Sequence, residues 1–515
     1  MSKALSARPS AFSSAGARGL NLRAIDQLGV RRLATDSRRV QRGDTFIAYP
    51  GETQDGRRYI AQAITNGASS VLWERRDFKW NPKWRVPNLG LAHLRARAGS
   101  IASHVYDYPS TRLWMIGVTG TNGKTTCSQW IAQALNDCGV RTAVIGTLGH
   151  GLRGALQPLA NTTPDAVWLH ARLADFARRG TQAVCMEVSS IGLDQDRAAG
   201  VQFDVALFTN LTRDHLEYHR TMRRYQRAKA RLFECESLKH AIVNLDDDFG
   251  AELAGRVRRR GLNVIGYGFV SAAGAARRLP RVSGRNLATG AAGVRFDVRT
   301  PWGAATVESP VLGRYNASNL LGTLAALLAS GIKLRDAVAA LARLDAVSGR
   351  LQKIGGGRRP LVVIDYAHSP DALEKVLLAL RALIDDHASR LSPLASRLIC
   401  VFGCGGERDR GKRPLMGRIA TRLADSVVIT SDNPRSEDAL AIIGDVLDGV
   451  RQIRRQLTVA KDRRAAIRHA IANARRGDIV LIAGKGHETY QEVKGIRRPF
   501  SDAVVAREIL RRWHA

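Results

Sequence analysis

Cysteine is scarce in this chain of 515 residues, and its six copies show no pairing pattern. No two of them form a Cys-x-x-Cys pair, and no spacing of Cys and His matches a zinc site. This excludes a disulfide-stapled scaffold and a structural zinc site, and it indicates the reduced thiols of a cytosolic protein. The cysteines are Cys127, Cys138, Cys185, Cys235, Cys400 and Cys404.

Long apolar runs are absent as well. No segment approaches the roughly 18 uninterrupted apolar residues of a membrane-spanning helix, and the first residues lack the apolar centre of a secretory signal. Residues 1–19 are rich in Ser, Arg, Gly and Ala and contain no acid, which also suits a transit peptide, but we favour an irregular N-terminal end. We therefore expect a cytoplasmic protein without a membrane span.

Acidic and aromatic residues are few. Asp and Glu number 46 against 79 Lys and Arg, the formal net charge is +33, and aromatic residues make up 6% of the chain. A basic balance can serve nucleic-acid binding because Lys and Arg hold phosphate backbones. The arginines are spread over the whole chain, however, and no aromatic stacking pattern accompanies them. We predict anionic small-molecule substrates and no nucleic-acid partner.

Chain length and the alternation of apolar strands with helical stretches predict three α/β domains. The predicted fold has a central P-loop domain with a largely parallel sheet, a small N-terminal α/β domain and a C-terminal Rossmann-like domain. The expected domain ranges are 1–110, 111–345 and 346–515. Short alternating runs such as GVRFDVRT predict a β-hairpin excursion over 249–311.

The stretch 117–126, GVTGTNGKTT, joins an apolar strand to a helical pattern. Its turn leaves backbone N–H groups and a helix N-terminus free to hold the phosphates of a nucleoside triphosphate. Lys124 is expected to reach the β- and γ-phosphates and Thr125 to ligate Mg²⁺. Val118 stands where the usual loop has its first glycine, so this turn is shorter. The predicted nucleotide-binding residues here are Gly120, Thr121, Asn122, Gly123, Lys124, Thr125 and Thr126.

Polar side chains follow several apolar strands of the second domain. Glu187 ends the strand AVCMEV, His215 follows the strand VALFTN, and the polar loop NTTPD at 161–165 precedes a helix. Ligands of parallel sheets bind at the carboxyl ends of the strands, so we expect these groups to share a site. In the first domain, Ser37 and the loop 53–55 could grip a polar ligand, although a simple turn also explains them.

The third domain repeats this pattern after four of its strands. The polar clusters are Asp365 with His368, 408–413, 432–435 and 484–488. Each cluster alone is an ordinary turn. Their convergence on one edge of one sheet predicts a ligand pocket.

Lys229 lies on a helix whose apolar stripe includes Tyr225 and Phe233, each four residues away. A helical lysine is ordinarily solvated, but this position favours partial burial, which lowers the pKa of the amine. A neutral amine can take up CO₂ to form a carbamate, a carboxylate-like Mg²⁺ ligand. The sequence permits this chemistry without showing it.

The motifs and their order resemble the Mur ligase family over almost the whole chain, from DSR at Asp36 to beyond GKGHE at Gly484. The resemblance implies an enzyme that uses ATP and Mg²⁺ to add meso-diaminopimelate to UDP-N-acetylmuramoyl-L-alanyl-D-glutamate (UDP-MurNAc-L-Ala-D-Glu) through an acyl phosphate, in peptidoglycan synthesis. We expect a monomer. The matching segments are GTNGKTT, NTTPD, MEVSS, NLTRDHLEYH, YQRAKARLF, YNASN, DYAHSPDAL, GCGGERDRGKRPLM, DNPR and GKGHE.

The resemblance also implies residue roles, which we carry over by motif. UDP-MurNAc-dipeptide would contact Ser37, Thr162, Thr163, Ser189, Gln195 and Arg197. The catalytic residues would be Lys124, Glu187, His215 and Lys229. Mg²⁺ would be held by Thr125, Glu187, His215 and Lys229 as N6-carboxylysine. ATP would also contact Asn316, Arg350 and Asp365. The meso-diaminopimelate site would consist of Arg413, Asp432, Asn433, Pro434, Arg435, Gly484 and Glu488.

The charges of the last set suit an amino acid with an extra zwitterionic centre. Arg413 and Arg435 can pair with a carboxylate, and Asp432 and Glu488 can receive an ammonium. A lysine-adding enzyme would not need Arg435.

Two positions depart from the family pattern, and several alternatives stay open. Ile191 stands where relatives often have His, so we assign it no catalytic role. Gln352 stands where they often have Glu, which leaves nucleotide contacts there open.

A lysine-adding Mur ligase or a folylpolyglutamate synthetase would share the fold, but Arg435 and the DSR segment disfavour both. A basic P-loop NTPase acting on nucleic acid would need salt-dependent DNA binding. The intact Lys124 and Glu187 disfavour an inactive binding protein.

Overall fold

The computed structural model describes residues 20–52, 54–270, 279–290, 292–388, 396–450 and 456–513. Two predictions fall outside these ranges. They are the irregular N-terminal end at residues 1–19 and the polar loop 53–55 at its residue 53.

Four parallel strands form the sheet of the N-terminal region, in the order β1-β2-β3-β4. A 3₁₀ turn, Gly56–Tyr59, leads into the α-helix that begins at Ile60, which is buried. The strands are β1 (Leu33–Ala34), β2 (Thr45–Ala48), β3 (Ser70–Glu74) and β4 (Asn88–Leu91). The helices are α1 (Leu22–Gln27), α2 (Ile60–Thr65) and α3 (Leu94–Val105).

A ten-stranded sheet forms the middle of the molecule, in the order β14-β13-β12-β11-β10-β9-β5-β8-β6-β7. The pairs from β12 across to β6 are parallel, and β7, β13 and β14 pair antiparallel. The strands are β5 (Trp114–Thr119), β6 (Thr142–Gly146), β7 (Gly149–Leu152), β8 (Ala183–Glu187), β9 (Val205–Phe208), β10 (His240–Asn244), β11 (Asn263–Gly268), β12 (Arg281–Gly290), β13 (Gly293–Thr300) and β14 (Gly303–Ser309).

The helices of this middle region cover both faces of the sheet, so that the central strands are buried on both sides, as parallel sheets require. Trp130 and Leu324 belong to the apolar core on one face, and Phe176 and Phe208 to the core on the other. The helices are α4 (Lys124–Asp137), α5 (Ala166–Arg178), α6 (Ser190–Asp194), α7 (Leu216–His219), α8 (Met222–Ala230), α9 (Asp248–Arg258), α10 (Arg314–Ala329) and α11 (Leu334–Leu341).

The prediction of a β-hairpin excursion over 249–311 was wrong in two respects. The range begins with helix α9, whose Leu253 and Val257 are buried, and continues with the parallel strand β11. The antiparallel strands β12–β14 do not leave the sheet but extend it, because Val282 and Phe296 join the main core.

The C-terminal region contains a six-stranded sheet in the order β15-β16-β20-β17-β18-β19, in which β15 pairs antiparallel and the other pairs are parallel. The strands are β15 (Gln352–Gly355), β16 (Leu361–Asp365), β17 (Leu398–Phe402), β18 (Ser426–Ile429), β19 (Gln456–Val459) and β20 (Ile479–Ala483), and β21 (Tyr490–Val493) and β22 (Ile496–Pro499) form a separate hairpin. The helices are α12 (Pro370–Ala388), α13 (Lys412–Leu423), α14 (Ala439–Leu447), α15 (Arg463–Ala472) and α16 (Asp502–Arg511).

The predicted fold class is confirmed: among the described residues, three large sheets follow one another along the chain, and the small separate hairpin of β21 and β22 comes after the last. The domain ranges 1–110, 111–345 and 346–515 stay a prediction. Among the described residues, no helix is both long enough and apolar enough to cross a membrane.

Candidate active site

The phosphate-binding loop (residues 120–126) connects β5 to α4 at the centre of the ten-stranded sheet. Gly120 has a φ of +150°, and a Cβ there would lie 1.9 Å from Thr209 Oγ1. Gly123 has a φ of +86°, and its Cβ would lie 2.6 Å from Asn319 Oδ1. Both turns therefore require glycine.

Asn210, directly after β9, holds this loop in place. Its backbone carbonyl accepts a hydrogen bond from Thr121 N at 2.8 Å, and its side-chain Oδ1 accepts one from Asn122 N at 3.0 Å. Thr209 Oγ1 donates to the Asn122 carbonyl at 2.6 Å. The loop is thus preformed by contacts from the neighbouring strand end.

Two lysines converge on one backbone carbonyl of the loop. Lys124 Nζ donates to the carbonyl oxygens of Gly120 and Thr121 at 2.9 and 2.8 Å. Lys229 Nζ donates to the same Gly120 oxygen at 2.7 Å and lies 4.2 Å from the centre of the Tyr225 ring. The shared acceptor places both amines at the mouth of the phosphate-binding loop.

Lys229 is 1% exposed, which agrees with the expected position on the buried side of its helix. Burial, followed by the nearby charge of Lys124, brings the pKa of Lys229 well below its usual value, against the opposing effect of Asp214. Burial also lowers the pKa of Lys124, although Glu187 and Asp214 favour its charged form. A neutral Lys229 amine is the form that can react with CO₂.

Glu187 is fully buried at the end of β8 and is held by three hydrogen bonds. Its Oε2 accepts from Thr125 Oγ1 at 2.8 Å and from Thr147 Oγ1 at 3.0 Å, and its Oε1 accepts from Thr147 N at 2.8 Å. Arg350, from the linker to the C-terminal sheet, donates to Thr125 Oγ1 at 3.3 Å. The hydroxyl and the carboxylate expected to bind Mg²⁺ are thus adjacent.

These donors fit Mg²⁺, which prefers oxygen ligands. Thr125 and Glu187 supply oxygens, and Lys229 would supply them only as a carbamate. In the described part of the chain, no three side chains of His, Cys, Asp or Glu form a group that could hold a metal ion. The predicted Mg²⁺ site therefore needs the Thr125 hydroxyl and a carbamate on Lys229 in addition to Glu187.

Asp214 is a buried carboxylate that sequence reasoning left without a role. Its Oδ2 lies 3.6 Å from His215 Nε2 and 3.6 Å from His368 Nε2, which belongs to the C-terminal region. Burial alone would raise the pKa of Asp214, but the nearby imidazole of His368 and the charges of His215 and Lys412 bring it well below its usual value. Asp214 is therefore an ionised bridge between the two regions.

A cavity of about 810 Å³ brings most of the predicted site residues together. It extends from the polar loop at 161–163 past the phosphate-binding loop to the polar clusters of the C-terminal sheet. The predicted residues that line it are Thr121, Asn122, Gly123, Lys124, Thr125, Thr162, Thr163, Glu187, Ser189, Arg197, His215, Lys229, Arg350, Asp432, Asn433, Arg435, Gly484 and Glu488.

A second cavity, of about 570 Å³, lies on the other side of the phosphate-binding loop. Asn122, Gly123 and Arg350 line both cavities. The remaining predicted nucleotide residues in its wall are Thr126, Asn316 and Asp365.

At the end of the large cavity near α6, hydroxyl groups form a connected set. Thr163 Oγ1 donates to Ser189 Oγ at 3.0 Å, and Thr162 Oγ1 lies 3.0 Å from Thr147 Oγ1. Arg197 donates to the Thr163 carbonyl at 3.1 Å. These groups can receive a polar substrate.

Two residues assigned to this substrate do not line the cavity. Ser37 is buried in the N-terminal region, where its hydroxyl donates to Gln62 Oε1 at 2.7 Å. Gln195 accepts a hydrogen bond from Arg197 at 2.5 Å, so it orients the Arg197 side chain without lining the cavity itself.

Arg413, which was also assigned to the amino-acid site, does not line the cavity. Its side chain is fully buried and donates to Glu437 at 2.9 Å and to Asp445 at 2.8 Å. Burial would lower the pKa of Arg413, but the bonds to both acids raise it. Arg413 therefore fixes α13 to its neighbours. Pro434 does not line the cavity either.

Arg408, five residues earlier in the same motif, does line the cavity. Its side chain is exposed, and no ion pair is found for it among the described residues. It lies in the glycine-rich loop before α13, whereas Arg413 lies in the first turn of that helix. Its position after a strand end could have identified it from the sequence, but only Arg413 of this cluster was assigned to the amino-acid site.

The acids and amides at this end of the cavity are tied together by a lysine that sequence reasoning missed. Lys485 is fully buried, and its Nζ donates to Asn433 Oδ1 at 3.0 Å and to Glu488 Oε2 at 2.8 Å. Asn433 Nδ2 also donates to Glu488 at 2.8 Å. Arg435, with a φ of +53°, donates to the Gly406 carbonyl at 2.6 Å.

The two departures from the family pattern have different surroundings. Ile191 lines the large cavity, where it offers an apolar surface. Gln352 Oε1 accepts a hydrogen bond from Gly349 N at 3.1 Å, so its side chain supports the linker. A carboxylate oxygen would serve equally as an acceptor there.

Comparison with known proteins assigns the chain to a family. Sequence profiles match for the Mur ligase family catalytic domain at residues 30–106, the Mur ligase middle domain at 118–327 and the Mur ligase glutamate ligase domain at 349–486. A UDP-N-acetylmuramoyl-L-alanyl-D-glutamate–2,6-diaminopimelate ligase of Nitrosomonas europaea is 51% identical over 93% of this chain and 93% of its own length. The chain belongs to the Mur ligase family.

Other Mur ligases agree with this assignment. Relatives of the same name from Chromobacterium violaceum and Pseudomonas aeruginosa are 50% and 47% identical, over 95% and 94% of this chain and 96% of each relative. Members of this family are ATP-dependent ligases, so the prediction of an ATP-dependent ligase is confirmed.

Solved Mur ligase structures share the fold. A UDP-N-acetylmuramoyl-L-alanyl-D-glutamate–2,6-diaminopimelate ligase matches with a TM-score of 0.66 and 37% identity over 94% of this chain and 95% of that chain. The MurF ligase of Thermotoga maritima in complex with ADP matches with a TM-score of 0.63 over 94% of this chain and 98% of that chain. Its identity is 18%, so it supports the fold alone.

Proposed function

We propose that the chain is an ATP-dependent ligase that joins meso-diaminopimelate to the D-Glu of UDP-MurNAc-L-Ala-D-Glu, in peptidoglycan synthesis. The names of its relatives at about half identity over nearly the full length support this substrate pair. We also propose that the protein acts as a monomer. We place the reaction in the cytoplasm, where ATP is available.

The observation that carries the proposal is the large cavity. The phosphate-binding loop opens into its middle, a set of hydroxyl groups lies at one end, and arginine and acid side chains lie at the other. This order matches a reaction in which ATP activates one substrate and a second substrate attacks it.

ATP is proposed to bind with its phosphates on the loop 120–126 and with contacts to Asn316, Arg350 and Asp365. Lys124 would turn from its loop carbonyls toward the phosphates. Mg²⁺, when bound by Thr125, Glu187, His215 and carbamylated Lys229, would neutralise phosphate charge. Glu187 is already oriented for this by Thr147.

The chemistry follows from positioning. The γ-carboxylate of D-Glu attacks the γ-phosphorus of ATP, the bond to ADP breaks, and an acyl phosphate forms. The neutral amine of diaminopimelate then attacks the acyl carbon, and phosphate leaves with the bonding electrons. Lys124 stabilises the negative charge on the transferred phosphoryl group, and Thr163, Ser189 and Arg197 hold the muramoyl dipeptide.

Recognition of meso-diaminopimelate is proposed to depend on its second zwitterionic centre. Arg435 and Arg408, rather than Arg413, would pair with the distal carboxylate, and Asp432 and Glu488 would receive the ammonium. L-lysine has no carboxylate at that end, so it would leave two arginines without a partner.

We propose that residues 1–110 bind UDP-MurNAc, residues 111–345 bind ATP and residues 346–515 bind the amino acid.

Incubation with ATP, Mg²⁺, UDP-MurNAc-L-Ala-D-Glu and meso-diaminopimelate tests the proposed function. Mass spectrometry should show the muramoyl tripeptide together with ADP, and Lys124→Ala should abolish both. ATP hydrolysis without a new amide product would contradict the proposal.

A further inference from the structure

The tip of the phosphate-binding loop touches the C-terminal region through a side-chain hydrogen bond. Asn122 Nδ2 donates to Asp371 Oδ2 at 3.0 Å, and Thr212 Oγ1 donates to the same oxygen at 3.5 Å. Asp371 lies in the first turn of α12, far from Asn122 in sequence. One carboxylate oxygen therefore joins the nucleotide loop to another domain.

The carboxylate that makes this contact is itself held in place. Lys375, one helical turn later, donates from Nζ to Asp371 at 2.9 Å. This ion pair lies within α12, so it orients Asp371 without depending on the central region. The Asp371 side chain is 27% exposed, so the contact is partly open to solvent.

Asn122 is well placed to transmit such a contact to the nucleotide. Its backbone is fixed from the central sheet by Asn210 and Thr209, while its side chain is fixed by Asp371. It also lines both cavities. The loop tip is therefore shared between the two regions that must come together around ATP.

Other contacts join the same two regions: Arg350 donates to Thr125 Oγ1 at 3.3 Å, at the base of the loop, and two further contacts do not reach the loop. Arg213 pairs with Asp409 at 2.9 Å, and Asp214 lies 3.6 Å from His368. Both start from the segment that follows β9. Asp371 differs because its partner is the side chain of Asn122, at the tip of the phosphate-binding loop.

We propose that Asp371 is a positioning residue that sets the Asn122 side chain from the C-terminal domain and so couples ATP binding to amino-acid binding. The inference rests on the proposed function, which places the amino acid on that domain. A hydrogen bond across the interface exists only in one arrangement of the two domains, so either ligand that favours this arrangement strengthens the binding of the other.

The test measures the dissociation constant of a non-hydrolysable ATP analogue with Mg²⁺, with and without saturating meso-diaminopimelate. The wild-type protein should bind the analogue about 5-fold more tightly when the amino acid is present, the lower range of ordinary coupling. Asp371→Ala should abolish most of this difference. Asp371→Asn should keep it, because an amide oxygen can still accept from Asn122.

Glu374→Ala is the matched control. Glu374 lies on the same helix and forms an ion pair with Arg422, which is also in the C-terminal region. Its loss should leave the coupling unchanged. Melting temperatures of all variants show whether an altered coupling comes from a folded protein, and Asp371→Asn serves if Asp371→Ala does not fold.

Coupling that survives Asp371→Ala, or that Asp371→Asn also loses, would overturn the inference while the ligase reaction stands. A wild-type protein that binds the analogue and makes product but shows no coupling would overturn it as well. A wild-type protein that does not bind the analogue would contradict the proposed function and this inference with it.

Discussion

At the scale of single residues, Lys124 and Lys229 share the Gly120 carbonyl but differ in what they can do. Lys124 begins α4 and can turn toward a phosphate, whereas Lys229 is 1% exposed and packed over Tyr225. Burial lowers the pKa of both amines, more strongly for Lys229. This difference supports phosphate binding by Lys124 and carbamate formation by Lys229.

Replacement of Lys229 tests the carbamate. Lys229→Ala should lower the rate of ADP release at least about 100-fold, because it removes a charged group from the phosphate site. Short carboxylic acids such as acetate should restore part of the rate by supplying the missing carboxylate. Arg227→Ala, on the exposed side of the same helix, should keep normal turnover. Unchanged turnover of Lys229→Ala would contradict the carbamate role.

Arg408 and Arg413 should respond to replacement in opposite ways. Arg408→Ala should raise the KM for meso-diaminopimelate by roughly 10-fold or more, as expected for a lost charge-assisted contact, and leave the melting temperature unchanged. Arg413→Ala should lower the free energy of unfolding by roughly 3 kcal/mol, because it removes a fully buried side chain together with its ion pairs to Glu437 and Asp445. Steady-state kinetics and denaturant unfolding measure the two effects. A KM effect confined to Arg413→Ala would restore the sequence-based assignment.

Local sequence does not decide which of these two arginines faces the cavity. Both lie in one motif after β17, and charge alone favours either. Which one faces the cavity depends on where α13 begins and on Glu437 and Asp445, which lie far along the chain. The position of Lys229 was predictable because it depends on its own helix alone.

At the scale of elements, the ends of strands build the site. Glu187 at the end of β8 faces Gly146 at the end of β6, and a Cβ on Gly146 would lie 2.2 Å from Glu187 Oε1. The strands themselves were predictable because buried parallel strands are continuous apolar runs. The closeness of two strand ends depends on the order β5-β8-β6, which no single segment encodes.

Gly146→Ala should therefore displace Glu187 and lower kcat by roughly 10-fold or more, while the fold persists. Gly444→Ala in α14 is the matched control, because no atom lies within 4 Å of a Cβ placed there. It should keep normal activity and gain up to about 1 kcal/mol of stability. Activity assays with melting curves measure both. Normal kcat in Gly146→Ala would contradict the required orientation of Glu187.

Helix α9 was not predicted from its local sequence pattern. Its Gly-, Ala- and Arg-rich sequence favoured an excursion, yet Leu253 and Val257 bury one face and Asp247 caps its start by accepting from Gly250 N at 3.0 Å. The extended sheet beyond it depends on the core contacts of β12–β14.

At the scale of the whole molecule, the three α/β units and their order were predictable from alternation and motif order. The contacts between units were not, because they join residues far apart in the chain. Arg350 with Thr125 and Asp371 with Asn122 are examples. Such contacts decide how the cavities close around their ligands.

The stability of the whole molecule should depend on pH through His170. Burial lowers the pKa of His170 from 6.5 to about 4, although its hydrogen bond to the Ala199 carbonyl opposes this. The unfolded state binds more protons between these values, so the free energy of unfolding falls as the pH drops from 6.5 toward 4. The full loss is roughly 3 kcal/mol.

His170→Gln should make this dependence shallower, because glutamine cannot bind a proton in this range. His219 and His487, whose pKa burial also lowers to about 4, keep their share of it. His469→Gln, at an exposed position of α15, should leave it unchanged. Urea unfolding at several pH values measures both variants. An equally steep acid loss in His170→Gln would show that other groups carry it.

The central claim is that the cavity selects meso-diaminopimelate through its second carboxylate. The most direct measurement is phosphate release from ATP with UDP-MurNAc-L-Ala-D-Glu, comparing meso-diaminopimelate with L-lysine in the wild-type protein. We expect kcat/KM to be at least about 100-fold higher with meso-diaminopimelate, since lysine leaves Arg435 and Arg408 without a carboxylate partner. Equal values of kcat/KM for the two amino acids would contradict it.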